Sequence, residues 1–569
     1  MPRAVLRSTR IVLLLGMVMV FAGPAAAADP PTLDAASAPR LRAIMALPTE
    51  RSGANSGAVV AAGTTLFVVT PYPQRVKAIA LDLPGFPTRW SYTPPSTPEA
   101  TALAANMVTT PAVADGRLLF VTGNGHAIAL DAQSGTVLWD TIQADVSQGE
   151  MLAGPPLVVD GRVILGSQGD DFGVRGAMLA LDAASGRRLW RYTNVGPDAD
   201  VGIGGGFRSV ALPNAEPDRG LVTWPAGAWQ QGGGGLSAGV VYDTQHELLI
   251  HGTGHPAPWQ PDVRQGDNLW TSGLFARDVA TGQARWFDPL NPHDLYALGA
   301  GGSLLQAEID WHGTRRTLLL HASANGYVYV IDPADGRILD VHAYVPVTAT
   351  TDIDPETGTP QRNSAMDVST NSTTRGICPG WPGATGGGVP GAGSAAFLPR
   401  TGLLYIPASL LCMDFEPRQA NYLPGTPYTG ANLRTTGTPP RGALIAWDVA
   451  VARPAWRVEE AFPLRGGVLA TEGGLVFYGT LDGWFKAADA GDGRVLWQFQ
   501  TGAGIVSQPV AFTLPDGRAA IAVLSGAGGL ANPDIDRRDA TAAHGAANGL
   551  RDLQPPTDPI GRLYVFALP

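Results

Sequence analysis

Side chains able to move a proton or hold a cation cluster in a few loops of this chain. Asp170 and Asp171 lie in 168–176, a Gly-rich, acidic stretch expected at one rim of the fold. His255 opens His255-Pro256-Ala257-Pro258-Trp259, where the prolines hold the backbone extended. Asp294 follows Pro292-His293. Carboxylates of this kind can accept protons or bind hard cations, and imidazole suits softer ones. The local pattern alone supports plainer roles, with Asp170 and Asp171 capping a turn, Asp294 forming one, and His255 hydrogen-bonded in its loop. His251 lies four residues before His255, but on a strand-to-loop segment that spacing makes no common metal-binding face. Cys378 and Cys412 are the only cysteines, and an even count in an exported chain points to a disulfide over two free thiols. No Cys-x-x-Cys-His occurs, which excludes covalent haem.

The elements that must carry these loops are strands, and they repeat. In 115–140 a strand at 117–122, a Gly-Asn-Gly turn at 123–125, a strand at 126–130, an Asp-led turn at 131–135 and a strand at 136–139 form one unit. An Asp opens each turn and a Trp follows eight residues later at Asp82 and Trp90, Asp131 and Trp139, Asp182 and Trp190, Asp278 and Trp286, Asp448 and Trp456, Asp489 and Trp497. Asp332 opens another copy with Asp340 in the Trp position. Gly stands four after the Asp at Gly135, Gly186, Gly282, Gly336 and Gly493. Such a sheet cannot bury both faces alone, so copies must stack, and a spacing of roughly 40–55 residues is the length of a four-stranded propeller blade. The Asp residues read as turn-formers and the Trp residues as packing anchors. Two gaps, Asp182 to Asp278 and Asp332 to Asp448, are about twice as long. One is expected to hide a degenerate copy and the other a large insertion.

Residues 1–28 read as an export signal, with Arg3, Arg7 and Arg10 before an apolar core at 11–22 and a small-residue cleavage site at 25–28. Its removal takes away three arginines and no acid, so the formal charge moves from −10 to −13. An acidic chain of this kind is not a nucleic-acid binder. No other apolar run reaches the length of a membrane span. The mature chain, 29–569, is expected to be one domain, all-β, located in the periplasm. Residues 29–60 read as a poorly structured lead-in, 64–70 as the first clear strand and 467–525 as the final blade. The Gly- and Asp-rich 526–561 reads as a cover, and 562–567 as a strand that closes the ring so that the chain ends share a blade.

The strings Phe172-Gly173-Val174-Arg175-Gly176, Gly252-Thr253-Gly254-His255-Pro256-Ala257-Pro258-Trp259, Gly266-Asp267-Asn268-Leu269-Trp270-Thr271, Ile377-Cys378-Pro379, Cys412-Met413-Asp414-Phe415-Glu416-Pro417 and 474–483 resemble the quinoprotein alcohol dehydrogenases of the methanol dehydrogenase group. The resemblance covers most of the mature chain. It implies an eight-bladed propeller of tryptophan-docking blades, pyrroloquinoline quinone (PQQ) with calcium or a lanthanide near the axis, and alcohol oxidation with electrons passed to a separate carrier such as a cytochrome c. It places the metal at Asp171 and His255, the cofactor beside Gly169, Asp170, Ser237 and Asn325, and catalysis at His255 and Asp294. The chain also departs from the family pattern. Asp171 stands for a Glu and His255 for an Asn, Ala297 for the base Asp and Ala324 for an Arg, and Ser237 for the Trp beneath the cofactor. No Cys-Cys pair precedes Asp115. Two functions follow, a periplasmic dehydrogenase with Asp294 in place of the lost base, or a propeller that has lost PQQ and serves as a binding or scaffold protein.

Overall fold

The computed structural model describes residues 33–52, 57–71, 74–96, 109–213, 216–370, 372–385, 394–526, 550, 552–554, 556–558 and 560–569. The expected export signal and most of the expected cover lie outside these residues. No helix among the described residues exceeds four residues, and none is long and apolar enough to cross a membrane. Eight four-stranded antiparallel sheets account for most of the described chain. Seven of them run in chain order from Ala58 to Tyr92, Ala112 to Ile142, Met151 to Thr193, Val241 to Pro289, Gly302 to Ala343, Ala396 to Glu460 and Leu469 to Gln500. The eighth joins the chain ends, with Val510–Thr513, Ala519–Ser525 and Ile560–Ala567 followed by Arg42–Ser52 as its outer strand.

One principle fastens five of the sheets to the next. In the second sheet, Asp131 Oδ1 accepts the backbone N–H groups of Gln133 and Ser134 at 3.1 and 2.7 Å, fixing the turn that leads into Val137–Ile142. Trp139 on that strand donates its indole N–H to the Ala183 carbonyl of the third sheet at 3.1 Å. Its ring lies on Gly186, where a Cβ would come within 2.7 Å of it. Trp90, Trp190, Trp286 and Trp456 dock in the same way on the turns holding Gly135, Gly282, Gly336 and Gly493. Docking requires the absence of a Cβ, and glycine also takes the turn's positive φ without strain. The two Asp turns without glycine bear this out. Phe86 and Ala452 take φ of 51° and 56° there, and neither turn follows a sheet whose outer strand carries the docking Trp, Asp340 standing in its place in the fifth. Trp497 finds no such turn in the eighth sheet and bonds the Leu41 carbonyl instead, at 3.2 Å.

Apolar clusters fill every junction in this order, from the first and second sheets round to the eighth and first. Three expectations are corrected. Residues 29–60 are not an unstructured lead-in, since Arg42–Ser52 and Ala58–Ala62 are strands. The first is a half-exposed outer strand carrying Pro48, so its composition hides it. Residues 467–525 are not one blade, because Val510–Thr513 and Ala519–Ser525 belong to the eighth sheet. Neither long gap hides a degenerate copy. Both hold insertions, at 194–240 and 344–395 between consecutive sheets and at 410–441 between two strands of the sixth sheet.

Cys378 and Cys412 form the expected disulfide, 34 residues apart, beside the paired strands Thr374–Ile377 and Cys412–Pro417. It ties down the insertion that carries Trp381 to the site described below. Replacing both cysteines with serine is expected to lower stability by about 3–4 kcal/mol in the chain-entropy model, read by denaturant unfolding.

Candidate functional site

Segments from across the chain converge on one cavity of about 130 Å³, lined among others by Gln168, Asp170, Asp171, Leu236, Ser237, His255, Ala297 and Trp381. Arg162–Gln168 delivers the first of them, and a 3-10 turn at Asp170–Phe172 then bends the two carboxylates into the wall. Leu248–Gly252 delivers His255. The backbone between them is close-packed. Gly254 donates to the Gly235 carbonyl at 2.6 Å, and a Cβ on Gly254 would lie within 1.9 Å of Asp170 Oδ2. No other residue fits that position, so glycine at 254 serves to seat Asp170.

Asp170 Oδ1 accepts the Gly235 N–H at 2.5 Å. Burial raises its pKa to about 6, with the charge of His255 and the Gly235 bond pulling it down and Asp171 pushing it up. Asp171 Oδ1 receives two donors, the Trp259 indole N–H at 2.9 Å and His255 Nε2 at 3.2 Å. The other ring nitrogen of His255 lies 3.2 Å from the Pro256 carbonyl. Burial alone would lower the His255 pKa. The Asp171 hydrogen bond and the charges of Asp171, Asp170 and Asp294 outweigh it and carry it to about 9. At neutral pH this is an imidazolium between two oxygen acceptors.

The structure sorts the remaining expected residues. Gly169 and Ser237 line the cavity, and the buried Ser237 Oγ has no hydrogen-bond partner among the described residues. Asp294 is fully buried and absent from the cavity wall. Its oxygens accept Ser272 Oγ and the N–H groups of Tyr296 and Gly299 at 3.1, 3.0 and 2.7 Å, so it works as a turn-former. Asn325 also lies away from the cavity, bonded to Tyr329 Oη at 2.8 Å. Ala324 is buried beneath Gly383, where a Cβ would approach Ala324 Cβ within 2.6 Å, so the backbone itself fills the space around it. Trp381 and Trp259 were missed as site residues. Both had a signal, one lying three after Cys378 and the other ending the His255 string.

These residues do not fit the metal of the family. Calcium-like ions take six to eight oxygens at 2.3–2.6 Å, and the described residues contain no group of three or more His, Cys, Asp or Glu side chains placed to hold an ion. An organic ligand fits better, because the unpartnered Ser237 hydroxyl and the walls of Leu236, Leu298 and Trp381 offer both polar and apolar contact.

The PQQ_2 family model, described as outer membrane protein assembly factor BamB, matches residues 40–200, 102–238 and 421–545. The lanthanide-dependent methanol dehydrogenase of Methylacidiphilum fumariolicum (strain SolV) is 35% identical over 543 residues, covering 93% of this chain and 88% of that protein. Subunit 1 of the cytochrome c methanol dehydrogenase of Paracoccus denitrificans is 31% identical, covering 90% and 83%. Among solved structures, a europium-containing methanol dehydrogenase superposes with a TM-score of 0.88 at 34% identity, covering 95% of both chains. With this fold, cavity and likeness, the chain belongs to the quinoprotein alcohol dehydrogenase family. Within that family its similarity runs to the methanol dehydrogenases, including lanthanide-dependent ones.

Proposed function

We propose that this chain, exported to the periplasm by residues 1–28, is an eight-bladed propeller that oxidises a small alcohol with PQQ and passes the electrons to a separate carrier such as a c-type cytochrome. The observation that supports it is that positions the resemblance assigns to the metal and the cofactor, Gly169, Asp170, Asp171, Ser237 and His255, line one cavity together with Trp381. When bound, the quinone supplies the two-electron acceptor. This chain's own residues supply the rest. Asp170, with a pKa near 6, accepts the hydroxyl proton of the alcohol in place of the Asp lost at Ala297. The Ser237 hydroxyl and the His255–Asp171 pair orient the bound molecules, and Trp381, Leu236 and Leu298 exclude water. The closest runner-up is a propeller used only for binding, favoured by one observation, the loss of both the base at Ala297 and the cation at Ala324. Loading the purified protein with PQQ and assaying alcohol-dependent dye reduction separates the two. Turnover supports the dehydrogenase, and folded protein that neither binds PQQ nor reduces dye overturns it.

A further inference from the structure

The pair formed by His255 and Asp171 does more than decorate the cavity. Asp171 Oδ1 is the carboxylate oxygen turned toward His255, and it is already engaged by the Trp259 indole N–H at 2.9 Å and by His255 Nε2 at 3.2 Å. An ion held by that oxygen on its His255 side would sit within about 2.6 Å of it, closer than the imidazole nitrogen at 3.2 Å, so the ring stands in its way. The neighbouring carboxylate offers at most one free oxygen, since Asp170 Oδ1 is bound to the Gly235 N–H at 2.5 Å, and one oxygen can take a proton but does not make a cation site. His255 cannot rotate to offer a lone pair without breaking one of its two oxygen contacts, to Asp171 and to the Pro256 carbonyl at 3.2 Å. The rigid segment around it, with Gly234 N–H bonded to the His255 carbonyl at 3.2 Å and Ala257 N–H to Gly232 at 3.2 Å, holds the ring in place.

We infer that the cavity of this chain works without a metal ion, the His255 side chain occupying the place beside Asp171 that an ion would need. The inference deepens the proposed function and rests on the same cavity, but it is tested with neither quinone nor alcohol present. Terbium(III) is the probe, because Trp259 and Trp381 lie within the site and would sensitise its emission on binding. The wild-type protein is expected to show no saturable terbium emission and no rise in melting temperature with terbium or calcium. The double variant His255→Asn with Asp171→Glu is expected to gain saturable emission, at least tenfold above wild type at equal terbium, while Asp171→Glu alone gains none. Saturable binding to wild type that disappears in Asp171→Ala overturns the inference. So does emission from Asp171→Glu alone that equals the double variant, because His255 would then exclude nothing. Either result leaves the PQQ assay to decide the proposed function separately.

Discussion

Truncation before Arg562 is expected to abolish cooperative folding of the whole chain. The strand Ile560–Ala567 lies between Ala519–Ser525 and Arg42–Ser52, so its loss frees two strand edges at once. Its side chains alternate between two junctions. Tyr564 and Phe566 fill the cluster shared with the seventh sheet, while Leu563 and Val565 fill the one shared with the first. Removing four buried side chains at about 1.5–3 kcal/mol each forfeits on the order of 10 kcal/mol, which is comparable to the entire stability of a typical domain. A thermal melt of the truncated protein should show no cooperative transition, and an unchanged melting temperature would mean that the ring is not closed here.

The second large effect is catalytic. Asp170→Asn is expected to lower the rate of alcohol-dependent dye reduction by about 10²–10⁴-fold, the usual contribution of a positioned base. In the wild type, the rate should rise as pH increases through about 6, where Asp170 loses its proton, and then level off. That limb should vanish in the variant. The fold should not suffer. A carboxyl raised from 3.8 to about 6 binds its proton more tightly folded than unfolded, so its contribution to stability is full below pH 3.8 and lost as pH rises through 6. At pH 7 the neutral Asn therefore removes an unfavourable buried charge, and a melting temperature at or above that of wild type shows that the rate loss is not unfolding. A variant that keeps the pH limb and most of the rate would transfer the base role elsewhere.

Much of this was legible in the sequence, because propeller repeats advertise themselves. The Asp–Trp spacing located seven of the eight sheets, since turn and anchor both depend on residue type. The eighth was hidden for a physical reason. Its Asp turn is replaced by the two chain ends, and its outer strand, with Pro48 and exposed polar residues, has no apolar period to detect. The insertions between and within sheets imitated missing repeats because spacing cannot tell a loop from a blade. At the site, Asp171, His255 and Ser237 were found through the comparison with the family pattern, as positions where this chain departs from it, and the structure brings all three to one cavity. Sequence order could not show that Asp294 turns inward to three donors, nor that the His255 ring closes on Asp171, since both depend on where side chains point after packing. The raised pKa of Asp170 follows from burial, which no spacing reveals.

What the folded protein carries when it is purified from a host that makes PQQ tests the proposed function most directly. The visible spectrum and the metal content, measured on the same folded sample, address it together. The account predicts a quinone chromophore in a one-to-one ratio with the chain and no calcium or lanthanide above background. A colourless protein free of quinone would contradict it, as would a stoichiometric metal ion lost on Asp171→Ala.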